Sequence, residues 1–229
     1  MGRREMTKLI DTWSNTPSEE DGMTDEHAWI WREMIKCIPH PDLSEARVLD
    51  VGCNQGGFLR MLYDTHPFES GVGVDLAKDR VALANAAKGD RPLKYLATDM
   101  LSETGGGFDL AFSHEVIYLI ADLEDHARQV ASVLKRGGHY DAVTCCHADS
   151  PLWATWLPKI SAFSNIPVPN HSVSDIASAF RTAGLEVAIS RFLANAFIPT
   201  EPPTDYFPND IERLETYSRW KLCFRCTKV

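Results

Sequence analysis

The run Val48-Leu49-Asp50-Val51-Gly52-Cys53-Asn54-Gln55-Gly56-Gly57-Phe58 has the residue types that let a backbone approach a ligand closely. An apolar stretch stops in a glycine turn, and the turn feeds a helix. Glycine has no Cβ to hold a bound group away, and the first N–H groups of a helix are donors without a partner. A second carboxylate, Asp75, closes the next apolar stretch, Gly71 to Asp75. A doubly wound α/β fold places there the carboxylate that takes the two hydroxyls of a ribose. Asp50, Gly52, Cys53, Asn54, Gly56 and Asp75 therefore form a candidate site for a nucleoside-bearing ligand. By itself a strand, glycine loop and helix could serve many nucleotides.

Other residues with chemical capacity lie further along. His114 and Glu115 follow the apolar run Phe108 to Ser113, and Tyr118 comes shortly after. A histidine can change charge near neutral pH, which makes His114 the best-placed titratable candidate for catalysis. The bland alternative is that it shapes the pocket wall. Trp13, Trp29 and Trp31 precede the glycine loop, and Trp153, Trp156 and Phe163 lie in a later connection. Some could enclose an apolar substrate or a cation, with Trp13, Tyr118 and Trp153 the candidate contacts, while others pack helices. Cys223-Phe224-Arg225-Cys226 has CxxC spacing, and Cys145-Cys146-His147 could add ligands. Residues i and i+3 of an extended strand point to opposite faces, so no metal site is expected.

The elements that must position these residues alternate between short apolar runs and helical patterns from about residue 46 onward. Strands are expected over Ala46–Val51, Gly71–Asp75, Leu93–Ala97, Phe108–Ser113, His139–Cys146, Val187–Leu193 and Trp220–Thr227. Helices are expected from Thr24, as cap, to Ile38, from Gly56-Gly57 to about His66, and from Lys78 to Ala87. Another carries the stripe Leu123, Ala127, Val130, Val133 and Leu134, with Lys135-Arg136 at its negative end and Gly137 as its left-handed cap. A further helix starts at Ser172, with Asp175 three residues on, and ends at Gly184. This alternation predicts an α/β fold, a doubly wound and mostly parallel sheet with helices on both faces. Residues 147–171 and 194–217 remain as long connections, rich in proline and aromatics, of the kind that form lids.

Length and composition set outer bounds. The 229 residues suit one sizeable domain over 1–229: a helical arm (1–44), a cofactor half (45–146), a lid insert (147–171) and a substrate-side half (172–229). With 44% hydrophobic and 24% charged residues the chain reads as globular, and no apolar run is long enough for a membrane helix. The polar start, Met1 to Glu5, has no signal-peptide stretch, and the six cysteines read as free thiols, so the expected compartment is cytoplasmic. A net charge of −9 argues against nucleic acid as a partner and favours a small molecule. The chain is expected as a monomer or homodimer.

The glycine loop resembles the first motif of the class I S-adenosylmethionine-dependent methyltransferases. Asp50, Gly52, Cys53 and Gly56 match, and Asn54 stands where the family has a middle glycine. Later segments are similar to the family's in order. Gly73-Val74-Asp75-Leu76 resembles the ribose segment and Ala97-Thr98-Asp99-Met100 the adenine segment. Phe108 to Glu115 resembles the fourth strand, whose end borders the methyl group, and Leu134 to Gly138 the turn before the fifth strand. The resemblance is firm over residues 45–146. It implies seven strands with the last antiparallel, and a site formed by Asp50, Gly52, Cys53, Asn54, Gly56, Asp75, Leu76, Asp99, Met100, Ser113 and His114. It further implies methyl transfer from S-adenosylmethionine, leaving S-adenosylhomocysteine, here to a small-molecule acceptor. An RNA or protein methyltransferase, and a non-catalytic S-adenosylmethionine-binding subunit, are the alternatives. Methyl transfer needs near-attack geometry and, for phenols and carbon acids, a base. His114 is the candidate for it.

Overall fold

A computed structural model describes residues 8–39 and 42–229, without the side chains of 17–21, 23 and 24. In chain order the elements are α1 (Pro17–Lys36), β1 (Arg47–Val51), α2 (Gly57–Thr65), β2 (Ser70–Asp75), α3 (Lys78–Ala87), β3 (Leu93–Ala97), β4 (Phe108–His114), α4 (Leu123–Val133), β5 (Leu134–Thr144), α5 (Trp153–Phe163), α6 (Val173–Thr182), β6 (Leu185–Arg191), α7 (Asp210–Glu215) and β7 (Leu222–Lys228). The strands form one seven-stranded sheet in the order β3-β2-β1-β4-β5-β7-β6. β1 pairs in parallel with β2 and β4, and β7 runs antiparallel to both β5 and β6. The expected antiparallel last strand is thus inserted between its neighbours.

The strand order reverses at β1, which has β2 on one side and β4 on the other. Such a switch point leaves a crevice at the C-terminal strand ends, because the connections of the two halves lead away to opposite sides. The glycine loop leaves β1 there, and His114 ends β4 there. Side chains alternate between the two faces. Leu49 and Ala111 join Phe180 and the stripe Ala127, Val130 and Val133 in one layer. Val48, Leu110 and Phe112 join Trp31, Met34, Leu59 and Leu62 in the other. Strands buried on both faces read as continuous apolar runs, as Leu110 to Phe112 of β4 do.

Several boundaries differ from the sequence reading, each for a local reason. α1 begins at Pro17, not at a Thr24 cap, because proline at the first helical position lacks only an N–H that would be unpaired anyway. Pro41, which together with Pro39 is expected to end that helix after Ile38, lies outside the described residues. α4 ends at Val133, since Leu134 is already extended and starts β5. Gly137 has φ of +79° but sits in β5, where pairing with β4 shifts register between Phe108 and Leu110, so it serves a bulge and not a helix cap. β5 stops at Thr144, leaving Cys145 and Cys146 beyond the strand. β6 and β7 lie two residues away from their expected starts. Ser172 and Asp175 do form a reciprocal capping box on α6.

The two long connections are partly helical, containing α5 and α7. Residues 13–15 of the arm pair with 163–165 after α5: Asn15 N–H donates to Phe163 O at 2.8 Å, and Asn165 N–H to Trp13 O at 2.8 Å. Further back, Ile10 N–H donates to Leu76 O at 3.1 Å, and Ile10 O accepts from Lys78 N–H at 2.9 Å. The arm therefore ties the end of β2 to α5 across the C-terminal edge of the sheet. No helix among the described residues is long and apolar enough to cross a membrane.

Candidate active site

The loop after β1 is shaped by close packing. Gly52 and Gly56 have φ of +74° and +71°, a region L side chains rarely enter. A Cβ on Gly52 would lie 2.2 Å from Val116 Cγ2, and one on Gly56 2.4 Å from Tyr95 Cζ. Asn54 takes the middle position at φ of +44°, which asparagine tolerates better than most residues. Gly52 and Cys53 donate to Val74 O at 2.8 and 3.0 Å, which fixes the turn to β2.

Asp75 stands across that turn. Its Oδ2 accepts from Asn54 N–H and its Oδ1 from Ala77 N–H, each at 2.8 Å, so the carboxylate is oriented from both sides. Leu76, Asp99 and Met100 follow β2 and β3 at the same edge, all half-buried. The Asp50 carboxyl is only 4% exposed. Burial, and then the charge of Asp75, pushes it up to about 8, and no hydrogen-bond donor among the described residues offsets either. A buried carboxylate that lacks a cation is what the amino group of an amino-acid moiety would fit, and the oriented Asp75 suits a ribose diol. The residues present fit S-adenosylmethionine.

Across β4 the expected residues separate. The Ser113 hydroxyl is buried and bonded to Tyr140 Oη at 2.6 Å, in the layer of Phe180. Side chains alternate along a strand, so Ser113 turns away from the face that His114 occupies, and the structure does not bring its side chain to the site. His114 Nδ1 receives the Trp31 indole N–H at 3.3 Å, and its ring meets His27 edge-on at 4.7 Å. Burial, then the charge of Lys221, holds the His114 imidazolium well below the usual histidine range. Indole can only donate, so Nδ1 must accept and the neutral ring carries its proton on Nε2. His114 is thereby a hydrogen-bond donor in this arrangement. A base role would require Trp31 to let go.

Glu115 follows with φ of +53° and collects a set of donors. Thr144 Oγ1 donates at 2.7 Å and Cys145 N–H at 3.1 Å, and the ammonium of Lys221 closes on Oε1. Burial alone would raise this carboxyl, but Lys221 and the other donors outweigh it and hold it below its ordinary value. Lys221 is 1% exposed and lies over the Tyr217 ring at 5.6 Å. Glu115, Cys145 and Cys146 come within 4.8 Å of one another, yet Lys221 already supplies the positive charge that a metal would bring.

Trp13, Tyr118 and Trp153, read as candidate substrate contacts, come together in one aromatic cluster with Trp156, Cys145 and Cys146. Trp153 itself is buried, with its indole N–H on Asn170 Oδ1 at 2.8 Å, while the buried Trp13 indole nitrogen has no partner among the described residues. The sequence reading missed His27 and Lys221. His27 and Trp31, four apart on α1, share a helix face, and that spacing was the one available signal. A lysine at the head of an apolar strand carries none.

Comparison with known proteins gives this geometry its context. A family model described as a methyltransferase domain matches residues 24–188. The chain belongs to that methyltransferase family. Its sheet and helices have the class I S-adenosylmethionine-dependent architecture. A chain in the complex between the Haloferax volcanii Trm112 methyltransferase activator and a methyltransferase superposes with a TM-score of 0.77 at 25% identity, covering 92% of this chain and 93% of that one. The tRNA U34 carboxymethyltransferase of Pseudomonas paraeruginosa is 34% identical over 142 residues, 59% of this chain and 44% of its own length. The geranyl diphosphate 2-C-methyltransferase of Saccharopolyspora erythraea is 33% identical over 112 residues, 46% of this methyltransferase and 38% of its own length. The chain thus spans less than half the length of these curated relatives, and the acceptors they are named for differ.

Proposed function

We propose that this methyltransferase moves a methyl group from S-adenosylmethionine to a small-molecule acceptor. The observation that carries the reading is the pairing of two unlike environments at the switch point. On one side are the glycine turn, the oriented Asp75 and the uncompensated Asp50. On the other is an aromatic cluster under the α5 cover. When bound, S-adenosylmethionine supplies a methyl group made electrophilic by its sulfonium. Asp75 would hold the ribose hydroxyls and Asp50 the ammonium, with Leu76, Asp99 and Met100 beside the adenine. Gly52, Cys53, Asn54 and Gly56 supply the close backbone wall. Trp13, Tyr118 and Trp153 enclose the acceptor side and exclude water.

Electrostatics favour a small acceptor over RNA. Binding a phosphate backbone needs Lys and Arg free to neutralise it. Two basic groups on the elements beside the aromatic cluster are already neutralised, Lys221 by Glu115 and Arg213 by Glu201. Calorimetric titration with S-adenosylhomocysteine, with NADH as comparison, tests the cofactor. Micromolar binding of the first alone is expected, and binding of NADH alone would refute the reading. Acceptor class is tested by salt: binding to bulk tRNA that falls by orders of magnitude with added salt would favour RNA instead.

A second reading has one observation behind it, the near full-length likeness to a methyltransferase chain solved with an activator. In that reading turnover needs a protein partner. Phe197, Ile211 and Leu214 are exposed apolar residues in the connection before β7 that a partner could cover. Pull-down of a small partner with the tagged full chain, and turnover only in its presence, would establish it.

A further inference from the structure

Four titratable groups meet where β4 and β7 reach the C-terminal edge of the sheet: His27 from α1, His114 and Glu115 from the end of β4, and Lys221 ahead of β7. Glu115 and Lys221 neutralise each other, and the remaining donors on Glu115 leave that pair little capacity for a ligand. The two imidazoles differ from them and from each other. The Nε2 of His114 is buried and meets no partner among the described residues, and the Trp31 indole on Nδ1 makes that Nε2 an N–H donor. His27 packs edge-on against His114 at 4.7 Å and against Trp31 at 6.1 Å, and no hydrogen bond to its ring nitrogens exists among the described residues. Burial first, then Lys221, lowers the His27 pKa to about 4 against the opposing pull of Glu115, so the ring is neutral at physiological pH and keeps one nitrogen lone pair. The His114 donor and the His27 ring thus meet, 4.7 Å between ring centres, at the C-terminal end of β4, the sheet edge at which the glycine turn also opens.

One kind of atom satisfies both at once, a hydroxyl oxygen, which donates one hydrogen bond and accepts others. We propose that His27 and His114 bracket a phenolic hydroxyl of the acceptor, His27 accepting from its O–H while His114 Nε2–H donates to its oxygen. This rests on the reading of the chain as a small-molecule methyltransferase and narrows it to O-methylation. As an oxygen lone pair forms the new O–CH3 bond, the S–CH3 bond breaks and its electron pair stays on the sulfur of the departing S-adenosylhomocysteine. The O–H bond breaks in the same event: its electron pair stays on oxygen, and the proton, by then far more acidic than an imidazolium, passes to the free His27 nitrogen. A carboxylic acid carries no such proton at neutral pH, and an amine spends its one lone pair on the methyl and has none for His114. An aromatic body is favoured by the ring series Trp29–Tyr217 at 5.4 Å, Tyr217–Phe207 at 5.3 Å and Phe207–Trp156 at 5.2 Å, which links α1 to α5.

The test compares two probes on the full chain saturated with S-adenosylhomocysteine, at about pH 6, where a nitrophenol keeps its proton. The probes are 4-nitrophenol and its methyl ether, 4-nitroanisole, which lacks the O–H. Wild type is expected to prefer the phenol by about tenfold, the size of one hydrogen bond. His27→Ala should reduce the preference below about threefold, and His27→Gln, which keeps an acceptor, should retain part of it. Long-range proton–nitrogen NMR supplies a readout that a merely structural role would not move. His114 should carry its proton on Nε2 throughout, and the bare His27 nitrogen should shift upfield only on adding the phenol. Equal binding of the two probes, binding of neither, or an unmoved His27 nitrogen would overturn the proposal. Calorimetry with S-adenosylhomocysteine on the same samples separates the cases. Its failure to bind refutes the methyltransferase reading, while its binding without a phenol preference refutes only the bracketing histidines.

Discussion

Replacing Asp50 by asparagine probes the electrostatics of cofactor capture. The wild-type carboxyl is buried, and burial with the neighbouring charge of Asp75 raises it to about 8. A bound ammonium would return it to the ordinary carboxylate range near about 4, so binding between those limits must expel a proton. Below about pH 8, affinity for S-adenosylhomocysteine should then fall roughly tenfold per pH unit. Relative to the deprotonated limit the loss is about 1.4 kcal/mol at pH ~7 and about 2.7 kcal/mol at pH ~6. The sign for stability runs the other way. A carboxyl raised in the folded state costs the ligand-free protein stability as pH climbs from about 4 through 8, and the ligand removes that cost. Calorimetry at three pH values, in two buffers of different ionisation enthalpy, counts the protons released. Nearly one is expected at pH ~6 and about half of one at pH ~8. In Asp50→Asn the pH dependence and the proton release should both vanish. A wild-type affinity constant within about twofold across that range, with no buffer dependence, would refute the reasoning.

The other predictions concern the loop and the buried pair. Asp75→Ala should weaken S-adenosylhomocysteine binding by about tenfold or more with the fold intact by circular dichroism, since a bidentate acceptor is lost; unchanged affinity would remove the ribose assignment. Gly52→Ala should destabilise by more than about 1 kcal/mol in denaturant titration, because its Cβ meets Val116 and its φ is positive. Adding Val116→Ala should recover only part of that loss, as the backbone strain remains. Glu115→Gln leaves Lys221 buried with no counter-charge and should cost about 3–5 kcal/mol, whereas Glu115→Gln with Lys221→Met should cost less than the single change. Because the Glu115 carboxyl is lowered in the folded state, its contribution is present above the unfolded value and is lost on acidification, which a pH series of thermal melts would show.

Much of the fold was legible from residue order. The periods of two and 3.6, together with glycine and proline, are local properties, and they placed α3 (Lys78–Ala87) and β3 (Leu93–Ala97) at their observed ends and the Ser172 cap on α6. Where a boundary moved, a non-local pairing decided it. Leu134 to Gly138 look like the tail of α4, but β4 offers an edge and draws them into β5 through a bulge. The antiparallel insertion of β7 between β5 and β6 likewise depends on the sheet, as no local feature of Leu222–Lys228 encodes its neighbours.

The same division runs through the site. Asp50, the glycine turn and Asp75 were readable because a turn must be written in consecutive residues and the next strand lies close in sequence. Tertiary structure alone decided what surrounds His114. Its neighbours Trp31 and His27 come from a helix more than eighty residues earlier, and Lys221, which pairs with Glu115, is 106 residues later than its partner. Histidine in a sequence is equally a base, a donor or a wall. Only the indole N–H on Nδ1 and the burial around it determine where the ring carries its proton and hence what the ring can do.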